Sequence, residues 1–306
     1  MTVLFEKMAM LVILLAVGYV CAKLKIVGSE FNRGLSRLVI HVFLAALILS
    51  SVINKDLDIT GSEAVTGFIM IIIETVICFA LGMLTPTMLR IKDGDKGMYR
   101  LLAAFMNNGF MGFPLVAAIY GDTWVFFASL SNIPFNLLLY TLGVLQLQER
   151  DGTAKLKLRS ILSTPLIATL IATVIFAFKI PIPAVIDDTL DSIAAATVPV
   201  SMMCIGLSLG DVPIKNAFIQ PKLYGICFVR LLLAPLAVWF VLHFFPVDPV
   251  ILGTIVVLSA CPSAVICSIL GMQYGRDGVE ASEAIFLCTI LSVITMPLLL
   301  SILHLT

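Results

Sequence analysis

Charged side chains are scarce in this chain of 306 residues, because Asp, Glu, Lys and Arg together make up only 12% of it. Hydrophobic residues account for 60%, and the mean hydropathy is +1.10. Apolar runs of about 20 residues recur along the whole chain, and at ~1.5 Å per residue each can cross about 30 Å of hydrocarbon as a helix. The runs are continuous rather than alternating, which excludes a barrel. The sequence therefore predicts an all-α polytopic membrane protein.

Several functional motifs are also missing. The seven cysteines all fall in apolar runs without a CxxC pair, so they indicate neither a metal site nor a disulfide framework. No Walker-type glycine loop occurs, and the polar connections are too short for an ATP-binding domain. The net charge is zero, which gives no reason to expect a nucleic-acid partner. We expect no cofactor. The expected partners are membrane lipid and, as a possibility left open, a second copy of the chain in a homodimer.

Ten predicted spans result when the chain is divided at its charged and turn-rich segments. They lie near residues 3–22, 34–53, 64–89, 98–119, 124–147, 160–178, 189–209, 220–244, 250–272 and 282–304. The connections on one side carry fifteen Lys and Arg residues, against three on the other. Because basic loops stay in the cytoplasm, both termini are predicted on the non-cytoplasmic side of the cell's inner (plasma) membrane.

An internal repeat is indicated by an offset of about 154 residues, which lays spans two, three and four on spans seven, eight and nine. Tyr120 and Gly121 then match Tyr274 and Gly275. Chance alignment of Gly-containing and Pro-containing helices is the alternative, but a single offset that aligns several spans argues against it. Five spans per half make the second half inverted. The predicted domains are residues 1–148 and 160–306, joined by a cytoplasmic linker at residues 149–159.

Two stretches carry residues that interrupt helices, "NNGFMGFPL" at 107–115 and "CPSAVICS" at 261–268. Neither Pro114 nor Pro262 has an N–H group to offer the preceding turn. The first stretch is loosened further by Gly109 and Gly112. We expect spans four and nine to break and cross, so that the positive N-terminal ends of two half-helices meet near the midplane. Matched broken helices in inverted halves indicate a secondary transporter, and positive ends suit a carboxylate.

Polar residues at these breaks have two readings each. Asn107 and Asn108 either bind the substrate or satisfy the freed backbone groups. Ser263 is a weaker candidate, because serine in a membrane helix often bonds its own preceding turn.

Glu74 and Arg230 are deep charges at nearly equivalent depth in the two halves, and unpaired charges there are costly. They either form a structural ion pair, or they face the crossing, with Arg230 compensating an anionic substrate and Glu74 carrying a proton. Coupling to protons through Glu74, or to sodium at the freed carbonyls, stays open at this point.

The chain resembles the auxin efflux carrier family over nearly its whole length. The resemblance rests on "NNGFMGFPL" at 107–115, "SNIPFNLLLYTLGV" at 131–144, "VPVSMMCIGLSL" at 198–209, "CPSAVICSILGMQYGRDGVEAS" at 261–282 and "FLCTILSVITMPLL" at 286–299. It implies ten helices in two inverted halves, crossing fourth and ninth helices, and small organic acids such as malate, malonate or auxin-like acids as substrates. Asn132 and Asn136 match family positions, and they either line the site or bond between helices.

The predicted function is export of a small organic anion by alternating access, without catalysis. Ion-coupled uptake by the same fold is the alternative. A ligand sensor and an intramembrane enzyme are rivals from other classes, but the chain shows neither an appended signalling domain nor paired acids on facing spans.

Overall fold

The computed structural model describes residues 2–55, 61–91, 96–147, 162–211, 217–276 and 278–305. Over these residues the chain is helical, and the one β pairing found there is a single antiparallel bridge between Met106 and Ser263. The predicted cytoplasmic linker, residues 149–159, lies outside the described residues.

The helices of the first half follow the predicted spans closely. They are α1 (Thr2–Lys23), α2 (Ser29–Leu38), α3 (Leu44–Ser50), α4 (Gly61–Met88), α5 (Lys96–Ala104), α6 (Phe113–Tyr120), α7 (Thr123–Ser129), α8 (Asn132–Leu138) and α9 (Val144–Leu147). Three wider π-helical turns, Val39–Phe43, Asn108–Gly112 and Leu139–Gly143, lead directly into α3, α6 and α9.

The second half has the same kind of elements. They are α10 (Thr164–Phe178), α11 (Ala184–Ala195), α12 (Thr197–Asp211), α13 (Pro221–Phe228), α14 (Ala234–Leu242), α15 (Pro249–Ser259), α16 (Val265–Gln273) and α17 (Gly278–Ile302). A fourth π-helical turn, Val229–Leu233, joins α13 to α14.

Six continuous helical segments are long and apolar enough to cross a membrane. They are Glu30–Ser50, Ser62–Met88, Thr123–Leu147, Ala184–Gly210, Pro221–Leu242 and Gly278–Ile302. Four shorter apolar helical segments accompany them: Ala9–Lys23, Asn108–Tyr120, Thr164–Phe178 and Pro249–Ser259. Two of the shorter segments belong to the predicted fourth and ninth spans, which are short because each is interrupted.

The interruption of the fourth span lies upstream of where the sequence predicts it. The α-helix stops at Ala104, and residues 105–107 are extended or irregular before the π turn Asn108–Gly112 begins. Pro114 does not make this break, since it lies in the first turn of α6, where the missing N–H group is tolerated. In the ninth span, Pro262 does lie inside the interruption between Ser259 and Val265.

Local chemistry explains several helix ends. Ser163 accepts a hydrogen bond from the Leu166 N–H group at the start of α10, and Asp248 accepts one from the Val250 N–H group at the start of α15. Gly121 ends α6 with a φ of 98°, a left-handed conformation that glycine adopts without strain. Gly275, 154 residues later, has a φ of 71° just past α16.

Helices α1 and α12 approach each other closely. A Cβ atom added to Gly206 would lie 2.0 Å from the Leu15 carbonyl oxygen, and one added to Gly18 would lie 2.2 Å from the Met203 carbonyl oxygen. Small residues allow such backbone approach between helices in lipid.

Candidate functional site

The two interrupted helices meet and are hydrogen-bonded to each other. The Asn107 N–H group donates to the Pro262 carbonyl at 2.8 Å, and the Ala264 N–H group donates to the Phe105 carbonyl at 2.9 Å. These bonds flank the Met106–Ser263 bridge. Backbone groups that the helix breaks set free therefore satisfy one another across the crossing, as a buried polar backbone requires.

Arg230 stabilises this crossing by hydrogen bonds to its backbone carbonyls. It is fully buried, and its Nε atom donates to the Cys261 carbonyl at 3.1 Å. Its Nη1 atom donates to the Ala103 and Ala104 carbonyls, each at 3.3 Å, and its Nη2 atom donates to the Ser259 carbonyl. These carbonyls lie at the C-terminal ends of α5 and α15, where the helix dipoles are negative. The guanidinium group therefore neutralises both ends at once.

Glu74 is also buried, on α4, but it does not contact Arg230 directly. Its carboxylate accepts hydrogen bonds from the Thr75 hydroxyl at 3.2 Å and from the Cys78 thiol at 3.7 Å. Within the described residues, the ion pair found within 4.0 Å is that of Lys55 with Asp191. A direct ion pair, which is one of the two alternatives for Glu74 and Arg230, is thus not formed within 4.0 Å in this structure.

A cavity of about 190 Å³ lies in front of the crossing. Its lining comes from the two helix breaks, from α8 with the following turn, and from neighbouring helices. The residues are Met106–Phe110, Ala264, Val265, Ile266, Ile269, Asn132, Phe135, Asn136, Leu139, Tyr140, Ile40, Leu44, Ser163 and Pro165. None of these lining residues carries a charge. The volume is below the roughly 300–1,000 Å³ of pockets for drug-sized ligands, so the cavity fits a small molecule.

The crossing presents hydrogen-bond donors to this cavity. Within the described part of the chain, no acceptor is found for the N–H groups of Gly109, Val265 and Ile266, which begin the second half-helices. Asn107 accepts a hydrogen bond at its Oδ1 atom from the Phe110 N–H group at 3.4 Å, and its amino group has no partner in the same part. Free N–H groups, positive dipole ends and an amide together suit an anion.

Five of the predicted site residues line the cavity, namely Asn107, Asn108, Gly109, Asn132 and Asn136. Six others lie away from it: Gly112, Pro114, Pro262, Ser263, Glu74 and Arg230. Ser263 is fully buried and donates to the Leu102 carbonyl at 2.6 Å, while a Cβ atom on Gly112 would lie 2.8 Å from Leu258. These two residues serve the packing of the crossing in this structure.

The π-helical turns are a feature of the candidate site that sequence reasoning did not predict. Three of them contribute cavity residues, Ile40 from the first, Asn108 from the second and Tyr140 from the third. The fourth turn carries Arg230, which does not line the cavity but donates hydrogen bonds to the carbonyls of the crossing. Widened turns often mark functional sites. Pro114 and Pro235, each two residues after the end of a widened turn, are a signal that would have located two of them.

A family model described as membrane transport protein matches residues 3–300, nearly the whole chain. The chain belongs to this family, the auxin efflux carrier family. With its apolar helices, it is a multi-pass membrane transport protein.

Relatives of this auxin efflux carrier family member cover almost its full length. An uncharacterized transporter of Methanothermobacter thermautotrophicus is 26% identical over 96% of this chain and 96% of its own. An uncharacterized transporter of Methanocaldococcus jannaschii is 25% identical over 94% of each chain. A Rhizobium meliloti protein named "Putative malonate transporter" is 24% identical over 92% of this chain and 90% of its own.

A second cavity, of about 130 Å³, adjoins the first one at the crossing in this family member. It shares Ile40, Asn107, Phe110, Val265 and Ile269 with the first cavity. Its other lining residues come from α2, α12 and α17: Ser36, Cys204, Ile205, Ser208, Leu209, Ile285 and Thr289. Asn107 and Phe110 therefore line both small cavities at the helix crossing.

Proposed function

We propose that the protein exports a small organic anion across the inner (plasma) membrane by alternating access, and that the 190 Å³ cavity is its substrate site. The observation that carries this proposal is the set of unpaired N–H groups at two half-helix starts, beside the Asn107 amide, in a cavity lined by no charged residue. An anion is bound there by partial positive charges, which release it more readily than a buried ion pair would.

The architecture that we propose for this transport is ten spans in two inverted halves. Six long and four shorter apolar helical segments fall at the ten predicted positions. Lys25 and Lys179, 154 residues apart, both have positive φ, of 56° and 46°, and Gly121 and Gly275 repeat the same relation. Matched halves that cross at interrupted helices support alternating access, since one part of such a fold can move against the other around a fixed central site.

Export needs no coupling ion in this proposal. An anion that leaves a cell with a negative interior gains about 2.3 kcal/mol per charge per 100 mV. Purified protein in liposomes, loaded with malonate or malate and given voltage, pH or sodium gradients one at a time, tests the driving force. We expect flux to follow voltage alone. Flux that is indifferent to all three gradients would contradict both the electrogenic and the ion-coupled versions.

The site assignment has its own test. Thermal stabilisation of the purified protein is measured with a panel of carboxylic acids, for the native chain and for Asn107→Ala. The variant loses one amide donor to a charged ligand, which is worth about 1.5–3 kcal/mol, so stabilisation at a fixed concentration should fall markedly. Asn54→Ala, at the end of α3 and outside both cavities, is the control. Unchanged shifts in Asn107→Ala would refute the site.

A further inference from the structure

Helix α8 forms one wall of the 190 Å³ cavity, and existing hydrogen bonds determine whether its side chains can donate or accept. Asn136 donates from its Nδ2 atom to the backbone carbonyl of Asn132 at 2.8 Å. A carbonyl only accepts, so the amino group of Asn136 must face it. The Oδ1 atom of Asn136 is then the end of the amide that is left for another partner.

Asn132 is oriented in the same way by Thr169. The Thr169 hydroxyl donates to the Pro165 carbonyl at 2.8 Å and also lies 3.3 Å from the Ser129 carbonyl, so its one hydrogen is already in use. It can therefore only accept from the Nδ2 atom of Asn132, which lies 3.3 Å away. This leaves the Oδ1 atom of Asn132 as a second acceptor.

Both oxygen atoms are available to the cavity. Asn132 and Asn136 line it, and no described residue donates a hydrogen bond to either Oδ1 atom. Neither atom is among the described side-chain atoms that are sealed from solvent without a partner. Tyr140 and Ser163 also line the cavity, but their hydroxyl groups can donate or accept and so do not set its polarity.

The cavity thus has two unlike walls. The crossing offers donors, the N–H groups of Gly109, Val265 and Ile266 and the amino group of Asn107, whereas α8 offers the two acceptors of Asn132 and Asn136. A ligand with a carboxylate alone would satisfy the first wall and leave the acceptors of the second without a donor. Such unmet buried groups lower the affinity for the incomplete ligand.

We propose that the substrate carries a hydrogen-bond donor beside its carboxylate, as in a small hydroxy acid or the singly protonated form of a dicarboxylic acid. The carboxylate binds at the half-helix starts, and the O–H group donates its single hydrogen to the Oδ1 atom of Asn136, with the Oδ1 atom of Asn132 as the neighbouring acceptor. The inference rests on the proposed function, and it adds the substrate's second recognition group.

Matched ligand pairs test this on the unaltered protein. Dissociation constants are measured by calorimetry for lactate and propionate, which differ by one hydroxyl group. The second pair is malonate, at a pH at which it keeps one proton, and its monomethyl ester, which has the same charge but no donor. We expect the ligand with the donor to bind about three- to tenfold more tightly in each pair, the range for one hydrogen bond.

Variants assign the preference to α8. Asn136→Leu removes an acceptor, so the preference for lactate over propionate should fall to less than twofold, because lactate loses its partner and propionate no longer leaves that acceptor without a donor. Asn136→Thr keeps an oxygen acceptor and should retain part of the preference, and it replaces the leucine variant if that one fails to fold. Asn32→Leu is the matched control, a buried amide on α2 that lines neither cavity, and should leave the ratio unchanged.

The possible outcomes distinguish failure of this inference from failure of the proposed function on which it rests. Equal binding of lactate and propionate would overturn the donor requirement and leave the anion site standing. A preference that survives Asn136→Leu and Asn136→Thr unchanged would show that α8 does not read the donor, which also overturns the inference. If none of the four acids binds, the proposed function itself fails.

Discussion

At the residue scale, Arg230 shows how one buried charge can hold two helix breaks in register. Its planar group reaches carbonyls of both first half-helices, at Ala103, Ala104, Ser259 and Cys261. A guanidinium group has five donors in a fixed fork, which a lysine does not provide. The sequence predicts that Arg230 lies deep in the membrane. Its hydrogen-bond partners depend on the direction of its side chain, which the π turn Val229–Leu233 sets. The hydrophobic periodicity of the sequence does not reveal that turn.

Replacement of Arg230 should therefore destabilise the whole protein. Arg230→Met leaves the buried carbonyls of both half-helices without their donors, and we expect a loss on the order of 3–5 kcal/mol. The melting temperature in detergent measures it. Arg230→Lys keeps the charge with fewer donors, so its melting temperature should lie between those of the native protein and Arg230→Met. If Arg230→Met had the same melting temperature as the native protein, the role of Arg230 in stabilising the crossing would be contradicted.

Asp122 allows a prediction about pH. This carboxyl group precedes α7, and burial raises its pKa above the ordinary value; the nearby Asp191 carboxylate adds to the rise, while Lys55 opposes it. A folded-state pKa above the unfolded value means that the folded protein holds the proton longer, so stability falls as pH rises through this interval.

Asp122→Asn should accordingly raise the melting temperature at pH 7, and the gain should vanish near the unfolded pKa of about 3.9. Melting curves of the purified variant between pH 4 and pH 8 measure this dependence. Asp188→Asn, which removes an exposed carboxylate of α11, is the control. A gain that is equal at all pH values would contradict the pKa argument.

At the element scale, the existence of both helix breaks is predictable, but the position of one is not. Poor helix formers mark the stretch at residues 107–115, and Pro114 is the strongest of them. The α-helix nevertheless ends at Ala104, because the backbone there pairs with the other break, from Phe105 to Ala264 and from Asn107 to Pro262. Local helix propensity indicates that a stretch of helix is unstable, whereas tertiary contacts with a partner segment determine where the helix ends.

The contact between α1 and α12 leads to a prediction at the same scale. Any Cβ atom on Gly206 meets the backbone of Leu15 and Tyr19, so α1 must shift in Gly206→Ala. Overpacking of this kind costs typically 1–3 kcal/mol, which the melting temperature will show. Gly34→Ala on α2 is the matched control, because nothing lies within 4 Å of the added atom, and it should be neutral or slightly stabilising. Equal melting of both variants would contradict the close approach.

At the scale of the whole molecule, the offset of 154 residues appears in contacts as well as in conformations. The Thr197 hydroxyl donates to the Phe43 carbonyl at 3.0 Å, and these two residues are themselves 154 apart. In two halves related by a two-fold axis, equivalent residues touch where the axis passes between them. The sequence predicts the offset from matched residues such as Gly121 and Gly275, but not which equivalent residues touch, since that depends on how the halves pack.

The orientation of the chain in the membrane is the last prediction, and it follows from the charge asymmetry of fifteen basic residues against three. Green fluorescent protein is fluorescent in the cytoplasm, and alkaline phosphatase is active outside it, so paired insertions report the side of each loop. We expect fluorescence for insertions after residues 28 and 155, and phosphatase activity for insertions after residues 58 and 306. If all four signals are exchanged, the orientation is inverted although the ten spans stand. If residues 155 and 306 report the same side, the second half does not have five spans, and the inverted repeat on which alternating access is proposed is refuted.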